Sequence, residues 1–248
     1  MKAYKTLVGI IALLLIWEGI SYSGLIKPIF LPSPIEVVTS FISLVGTYDF
    51  YRHISYTLCR TFISFLLAAL IGIPIGMAIG YFSKIKGYFE FAIDFFRTMP
   101  SPALIPLALV ILGIGDISKI AVATFSVSLI IIINTIYGVQ SIKKTRRGVF
   151  SVLHASKYQE FKKLILPEST PFIFSGLRTA LSINLIIIIV TEMLIGTHFG
   201  LGYIIQTEQL MYNIPEMYSY IIVAGIIGFL LNKSILAIEK RFLFWVSV

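Results

Sequence analysis

SIKKTRRGVFSVLHASKYQEFKKLILPESTP, residues 141–171, is the one long polar and basic stretch of this chain, and it lies between two apolar runs. A Lys or Arg held at the centre of a bilayer costs about 2.5–3.5 kcal/mol, so a stretch this charged faces water. Its apolar residues Val149, Val152, Leu153, Phe161, Leu164 and Ile165 recur at three- and four-residue steps. That spacing predicts short helices with an apolar face that meets a partner, rather than a passive linker.

The flanking sequence says what surrounds the loop. Of the 248 residues, 57% are hydrophobic and 13% charged, and mean hydropathy is +0.92, far from the mix of a soluble domain. The chain reads as an all-α, polytopic membrane protein forming a single transmembrane domain over 1–248. Its net charge of +8 falls in loops between apolar runs, where it reports topology and not nucleic-acid binding. Cys59 alone forms no internal disulfide, and His53, His154 and His198 lack the spacing of metal ligands, so no metal site is expected.

Apolar runs at about 6–26, 58–82, 88–112, 117–139, 172–196 and 217–237 each suffice to cross about 30 Å of hydrocarbon at 1.5 Å per residue. The first follows Lys2 and Lys5 and precedes no A-x-A-like site, so it is expected to remain as a helix. Six transmembrane helices put both termini on one side. Lys84, Lys86, the basic residues of the loop and Lys233, Lys240 and Arg241 share that side, which makes it cytoplasmic. The opposite loops hold Lys27, Arg52 and Lys119, and 197–216 carries Glu208 and Glu216 with no Lys or Arg. Between the first two spans, LPSPIEVVTSFISLV is too short to cross, and Pro34 after Ser33 predicts a short interfacial helix.

Three spans carry unusual residues. Gly72, Gly76 and Gly80 step by four in the second, a small-residue face that admits another helix, expected from the same chain with a second subunit as the alternative. Pro100, Pro102 and Pro106 should break or kink the third, and broken backbone at membrane depth is tolerated in protein or beside a water-filled path. The fifth holds Arg178, Ser182, Asn184, Thr191 and Glu192, of which Glu192 is the strongest functional candidate, although the sequence singles out no mate for it. No G-x-x-x-x-G-K-[ST] phosphate loop, G-x-S-x-G elbow or H-E-x-x-H helix is present, so neither nucleotide hydrolysis nor another catalytic activity is expected here. If transport is active, its motor is another protein.

The loop resembles the cytoplasmic EAA loop of ATP-binding-cassette importer permeases, whose usual form is EAA, three residues, Gly, nine residues, then I-x-LP. Gly148, Val149 and Phe150 stand at the triplet, His154 at the glycine, and Ile165, Leu166 and Pro167 complete the ending. LPSP at 31–34, GIPIG at 72–76, PSPALIPLALVILGIGDISKI at 100–120, EMLIGTHFGLGY at 192–203 and the terminal LAIEKRFLFW are similar to the branch importing nitrate, sulfonates, taurine or pyrimidine precursors. The resemblance implies a type I importer fold: a second permease subunit, expected as a homodimer, a cytoplasmic ATPase dimer and an extracytoplasmic solute-binding protein, in the inner membrane lipid. It implies no cofactor on this chain, with ATP and Mg on the partner ATPase. Coupling would run through His154, Ala155, Ser156, Tyr158, Phe161, Leu164, Ile165, Leu166 and Pro167, with Tyr158, Phe161 and Leu164 as docking knobs and Pro167 stopping the helix before the fifth span. The translocation path would use Pro102, Pro106, Asn134, Asn184 and Glu192. The departures at 148–150 and His154 put the expected change of geometry in the first half of the loop. An ion-gradient-driven transporter or channel is the alternative, against which stand the lack of an inverted repeat and the single deep carboxylate.

Overall fold

The computed structural model describes residues 2–27, 29–196 and 198–243. Thr197 within EMLIGTHFGLGY, and Phe244 and Trp245 at the end of LAIEKRFLFW, lie outside them, as do the side chains of Lys2, Lys84 and Lys86. Every regular element among the described residues is helical: α1 Lys2–Tyr22, α2 Pro34–Val45, α3 Tyr48–Tyr81, α4 Ser83–Thr98, α5 Ile105–Leu112, α6 Asp116–Gln140, α7 Lys144–Val152, α8 Lys157–Glu160, α9 Leu166–Leu194, α10 Leu201–Leu210 and α11 Ile214–Phe242. A 3-10 turn, Ser101–Leu104, leads into α5, and a π segment, Phe161–Ile165, joins α8 to α9.

Four stretches are long and apolar enough to cross a membrane: α3, α6, the continuous Lys157–Leu194 and α11. Gly87–Thr98 and Ser101–Leu112 pass together as a fifth, joined at a bend of 97°. Of the six crossings expected from sequence, four or five are thus long and apolar enough among the described residues, and α1 is the remaining candidate. α1 runs over 21 residues, about 31 Å at 1.5 Å per residue, and its stretch Leu7–Tyr22 falls among the shorter apolar helices of 10–17 residues.

The chain divides into two compact units. One comprises Met1–Thr57 with Thr197–Ile226. Here Ser33 caps α2 in a reciprocal box with Glu36, and Pro34 occupies the first turn where its missing N–H is harmless. Trp17 Nε1 donates to the Pro32 carbonyl at 3.0 Å, and Ser219 Oγ donates to the Val37 carbonyl at 3.0 Å. Because α10 starts at Gly200, which has no side chain to cap it, α3 supplies the acceptors: His53 Nδ1 takes the Gly200 N–H at 3.2 Å and Thr57 Oγ1 takes the Leu201 N–H at 2.8 Å. His53 and Thr57 are one helical turn apart, so one face of α3 serves both amides.

The other unit comprises Leu58–Gly196 with Ile227–Val248. Its centre is α6, whose Val127, Ile131 and Val139 are fully buried. The glycine face of α3 packs on it closely enough that a Cβ built on Gly76 would lie 2.6 Å from Thr135 Cβ and 2.8 Å from the Ile132 carbonyl oxygen. The glycine spacing thus serves packing within this chain, as expected. On the far side, Gly176 of α9 gives Asn134 the same room, 2.6 Å from its Cβ. The expected break at the prolines is present: Pro100 and Pro102 hold the 3-10 turn between α4 and α5.

Candidate functional site

A group of four charges sits where α3, α6 and α9 meet. Arg60 comes from α3 near Leu58, Asp116 and Lys119 from the first turn of α6, and Glu192 from the last turn of α9. Arg60 Nη1 donates to Glu192 Oε1 at 2.6 Å, while Nε and Nη2 donate to Asp116 Oδ1 at 2.9 and 2.8 Å. Lys119 Nζ lies 3.7 Å from the same Asp116 oxygen. The side chains of Arg60, Lys119 and Glu192 are 4%, 0% and 0% exposed, that of Asp116 48%. Charges this far from water persist only when paired, and the formal sum here is zero.

Below this group, along the same helices, lies a neutral polar layer. Asn184 Nδ2 donates to the Thr61 carbonyl at 2.7 Å, Ser64 Oγ donates to Asn184 Oδ1 at 3.0 Å, and Thr124 Oγ1 donates to the Ser64 carbonyl at 3.3 Å. Asn184 and Glu192 are eight residues apart on α9, two turns along one face, so both candidates from the fifth span fall into one polar column.

The other expected path residues lie apart from that column. Pro102 borders a cavity of about 110 Å³ with Ser101, Ile105, Ile186 and Thr191, and Pro106 is exposed on the first turn of α5. Asn134 donates to the Ile130 carbonyl of its own helix at 2.8 Å and packs against Gly176. A second cavity of about 210 Å³ opens inside the α4–α5 bend, between Arg97, Ser101, Ser126 and Ile183.

The loop is mostly helical, with a turn over residues 153–156 between α7 and α8, and its first half has a defined end. Beyond Val152, Leu153 caps α7 and His154 takes φ 51. The His154 N–H donates to the Ser151 carbonyl at 3.1 Å and the Ala155 N–H to the Phe150 carbonyl at 3.0 Å. This is the paired hydrogen-bond pattern of a Schellman cap, with histidine in the left-handed place that glycine fills most easily. The turn thus forms with histidine at position 154. Arg146 pairs with Glu168, and Arg147 reaches Glu160 at 4.0 Å and the Val139 carbonyl at 3.4 Å, tying α7 to α9, α8 and α6. Ser156 then opens α8 with a capping box closed by Gln159.

Pro167 does not stop a helix before the fifth span. The Leu166 N–H bonds five residues back to the Phe161 carbonyl, and this widened turn gives the proline ring room at the start of α9. Tyr158 is 69% and Phe161 36% exposed, but Leu164 is 5% exposed and packs with Ile165 against Met77, Val139, Ile142 and Ile173. Leu164 is thus a core residue and not an outward knob; Val149, Val152 and Leu153 are exposed apolar residues of the first half.

Residues 72–247 match the family of binding-protein-dependent transport system inner membrane components. The chain belongs to this family. It is a permease, a multi-pass inner-membrane transport component without catalysis of its own. It is 30% identical to the taurine transport system permease protein TauC of Escherichia coli (strain K12), over 96% of this chain and 88% of that one. It is 27% identical to the putative aliphatic sulfonates transport permease protein SsuC of Bacillus subtilis (strain 168), over 98% and 89%. With the nitrate import permease protein NrtB of Synechocystis sp. identity is 32%, over 96% and 89%. The fold is similar to that of the MetNI methionine ABC transporter in an inward-facing conformation, at TM-score 0.69 and 21% identity over 77% of this chain and 95% of that one.

Three members of the charge group escape a reading of this permease's sequence. Glu192 has no visible mate there; Arg60 is that mate, 132 positions away. Lys119 reads as an extracytoplasmic loop residue, yet it belongs to α6 and is fully buried. Its signal is local: Asp116 and Lys119 are three apart, so one helical face carries both charges, and Arg60 stands alone among the apolar residues of LCRTFISF.

Proposed function

We propose that this chain is the membrane subunit of an ATP-driven importer for small solutes bearing an oxyanion, the class that includes taurine, sulfonates and nitrate. The names of the related permeases support the solute class: taurine, aliphatic sulfonates, nitrate and, for CmpB of Synechococcus elongatus, bicarbonate. Each solute presents a singly charged oxyanion. The observation that carries the reading is the family match over residues 72–247 together with a 141–171 segment of short helices, the last of which continues into α9.

In this reading the chain forms one transmembrane permease domain with six crossings and both termini cytoplasmic. Two copies assemble with two ATPases, which bind ATP and Mg, and receive solute from an extracytoplasmic binding protein. The loop docks on the ATPase through Tyr158, Phe161, Val152 and Leu153, while His154, Ala155 and Ser156 shape the turn between its helices and Leu164 to Pro167 anchor it. Asn184 and Glu192 stabilise the helices around the path, which the α4–α5 bend at Pro102 and Pro106 and the α6 face at Asn134 border.

Reconstituted vesicles holding permease, ATPase and binding protein test it. Uptake should require ATP, and Phe161→Asp should abolish ATPase co-purification and uptake while the permease still folds, since Phe161 is partly exposed. Uptake driven by an ion gradient without ATPase, or undiminished association in Phe161→Asp, refutes it.

A further inference from the structure

We propose that Lys119, Arg60 and the first turn of α6 form a subsite for the oxyanion head of the solute, in which the Asp116 carboxylate holds the place until the solute displaces it. The inference rests on the reading of this chain as an oxyanion importer.

The four charges are unequally matched. One oxygen of Asp116 faces three cationic nitrogens, two of Arg60 within hydrogen-bonding distance and Lys119 Nζ at 3.7 Å. The Lys119 ammonium is fully enclosed and has no hydrogen-bond acceptor among the described residues. A buried cation in that state is costly, and the carboxylate oxygen nearest to it is that of Asp116 in the first turn of α6 at 3.7 Å. Glu192 stays with Arg60 at 2.6 Å.

The helix end adds donors. Gly115 precedes α6 and offers no side-chain cap, so the first amides of a 25-residue helix are left to other acceptors. Gly113 and Gly115 hold φ 78 and φ 155, leaving the approach to those amides free of side chains on either side of Ile114. A three-oxygen anion has acceptors for Lys119, Arg60 and a backbone N–H together; one carboxylate oxygen does not.

Charge then selects the ligand. Asp116 is the one member of the group that reaches the surface, 48% exposed, and can leave without passing through the core. With Asp116 turned outward and a monoanion in its place, Arg60, Lys119, Glu192 and the ligand again sum to zero. A neutral solute leaves an unmatched positive charge and a dianion an unmatched negative one, both penalised in a dry interior.

Titration calorimetry on the purified permease–ATPase complex, in buffer free of sulfonates, uses methanesulfonate as probe, with dimethyl sulfone as the neutral isostere and sulfate as the dianion. Asp116→Asn should tighten methanesulfonate binding at least about tenfold by removing the competing carboxylate, and Lys119→Gln should weaken it at least about tenfold, the worth of one charged hydrogen bond. Lys119→Arg should retain binding, and neither dimethyl sulfone nor sulfate should compete. Equal affinity in wild type and Asp116→Asn, or competition by dimethyl sulfone, overturns the subsite; because Asp116→Asn keeps every cation, this arm holds even if Lys119→Gln fails to fold. Absence of ATP-dependent uptake by the wild type in vesicles would instead refute the importer reading.

Discussion

Replacing Arg60 by Met isolates what the buried ion pair contributes. The side chain is 4% exposed and its guanidinium bridges α3 to both α9 and α6. Methionine fills much of the same volume but leaves Glu192, itself 0% exposed in its side chain, without the 2.6 Å contact. Removing one partner of such a pair costs about 3–5 kcal/mol, most of it from the carboxylate left behind. Removing both should cost far less, because the desolvation penalty disappears with the charge. The double variant Arg60→Met, Glu192→Gln is therefore expected to recover about 2–3 kcal/mol of what Arg60→Met loses, a coupling far above the few tenths typical of independent sites. Thermal unfolding of the detergent-solubilised protein, run on the wild type, both single variants and the double variant, closes the cycle. Losses that simply add, or an Arg60→Met protein as stable as wild type, would refute the pairing as the element that joins these helices.

Individual contacts give three more expected outcomes. Gly76→Val should lower stability by about 1–3 kcal/mol by overpacking, since even a Cβ meets Thr135 at 2.6 Å, and should lower the melting temperature without any change in charge. His154→Gly should raise stability by about 1 kcal/mol by relieving the left-handed backbone, while His154→Val lowers it, read by the same melt. Burial pushes the Glu208 carboxyl above its ordinary value, Asn213 donating to it at 2.9 Å opposes the shift, and Glu216 adds to it. A raised carboxyl contributes stability that is full below the unfolded value and is lost as pH rises through the folded one. Glu208→Gln should therefore flatten the decline in melting temperature over that window, and an unchanged profile would show that Glu208 does not set it.

Much of this fold was legible because hydrocarbon imposes one-dimensional rules. Length and apolarity located α3, α6, α9 and α11, four-residue glycine steps forecast the α3–α6 contact, and Pro100 and Pro102 marked the bend. Serine before proline announced the α2 cap. What remained hidden depended on which distant residues meet. Arg60 and Glu192 are 132 positions apart, and nothing local pairs them. Lys119 looked like a loop cation because its charge sits at a span edge, yet helical phase turns it inward beside Asp116. Leu164 and Tyr158 belong to the same apolar periodicity, but the π turn between them reassigns one to the core and leaves the other outside. Proline rules predicted a stop at Pro167 because they assume α geometry, and a single widened turn satisfies the same steric demand without ending the helix.

That widened turn makes Lys157–Leu194 one 38-residue rod. From Tyr158 to Glu192 it runs about 50 Å at 1.5 Å per residue, so each degree of tilt at one end carries the other about 0.9 Å sideways. A hydrogen bond loosens within a few tenths of an ångström, less than that displacement. The geometry of the rod is that of a lever: a small angle at the polar segment corresponds to a displacement of about an ångström at the charge group.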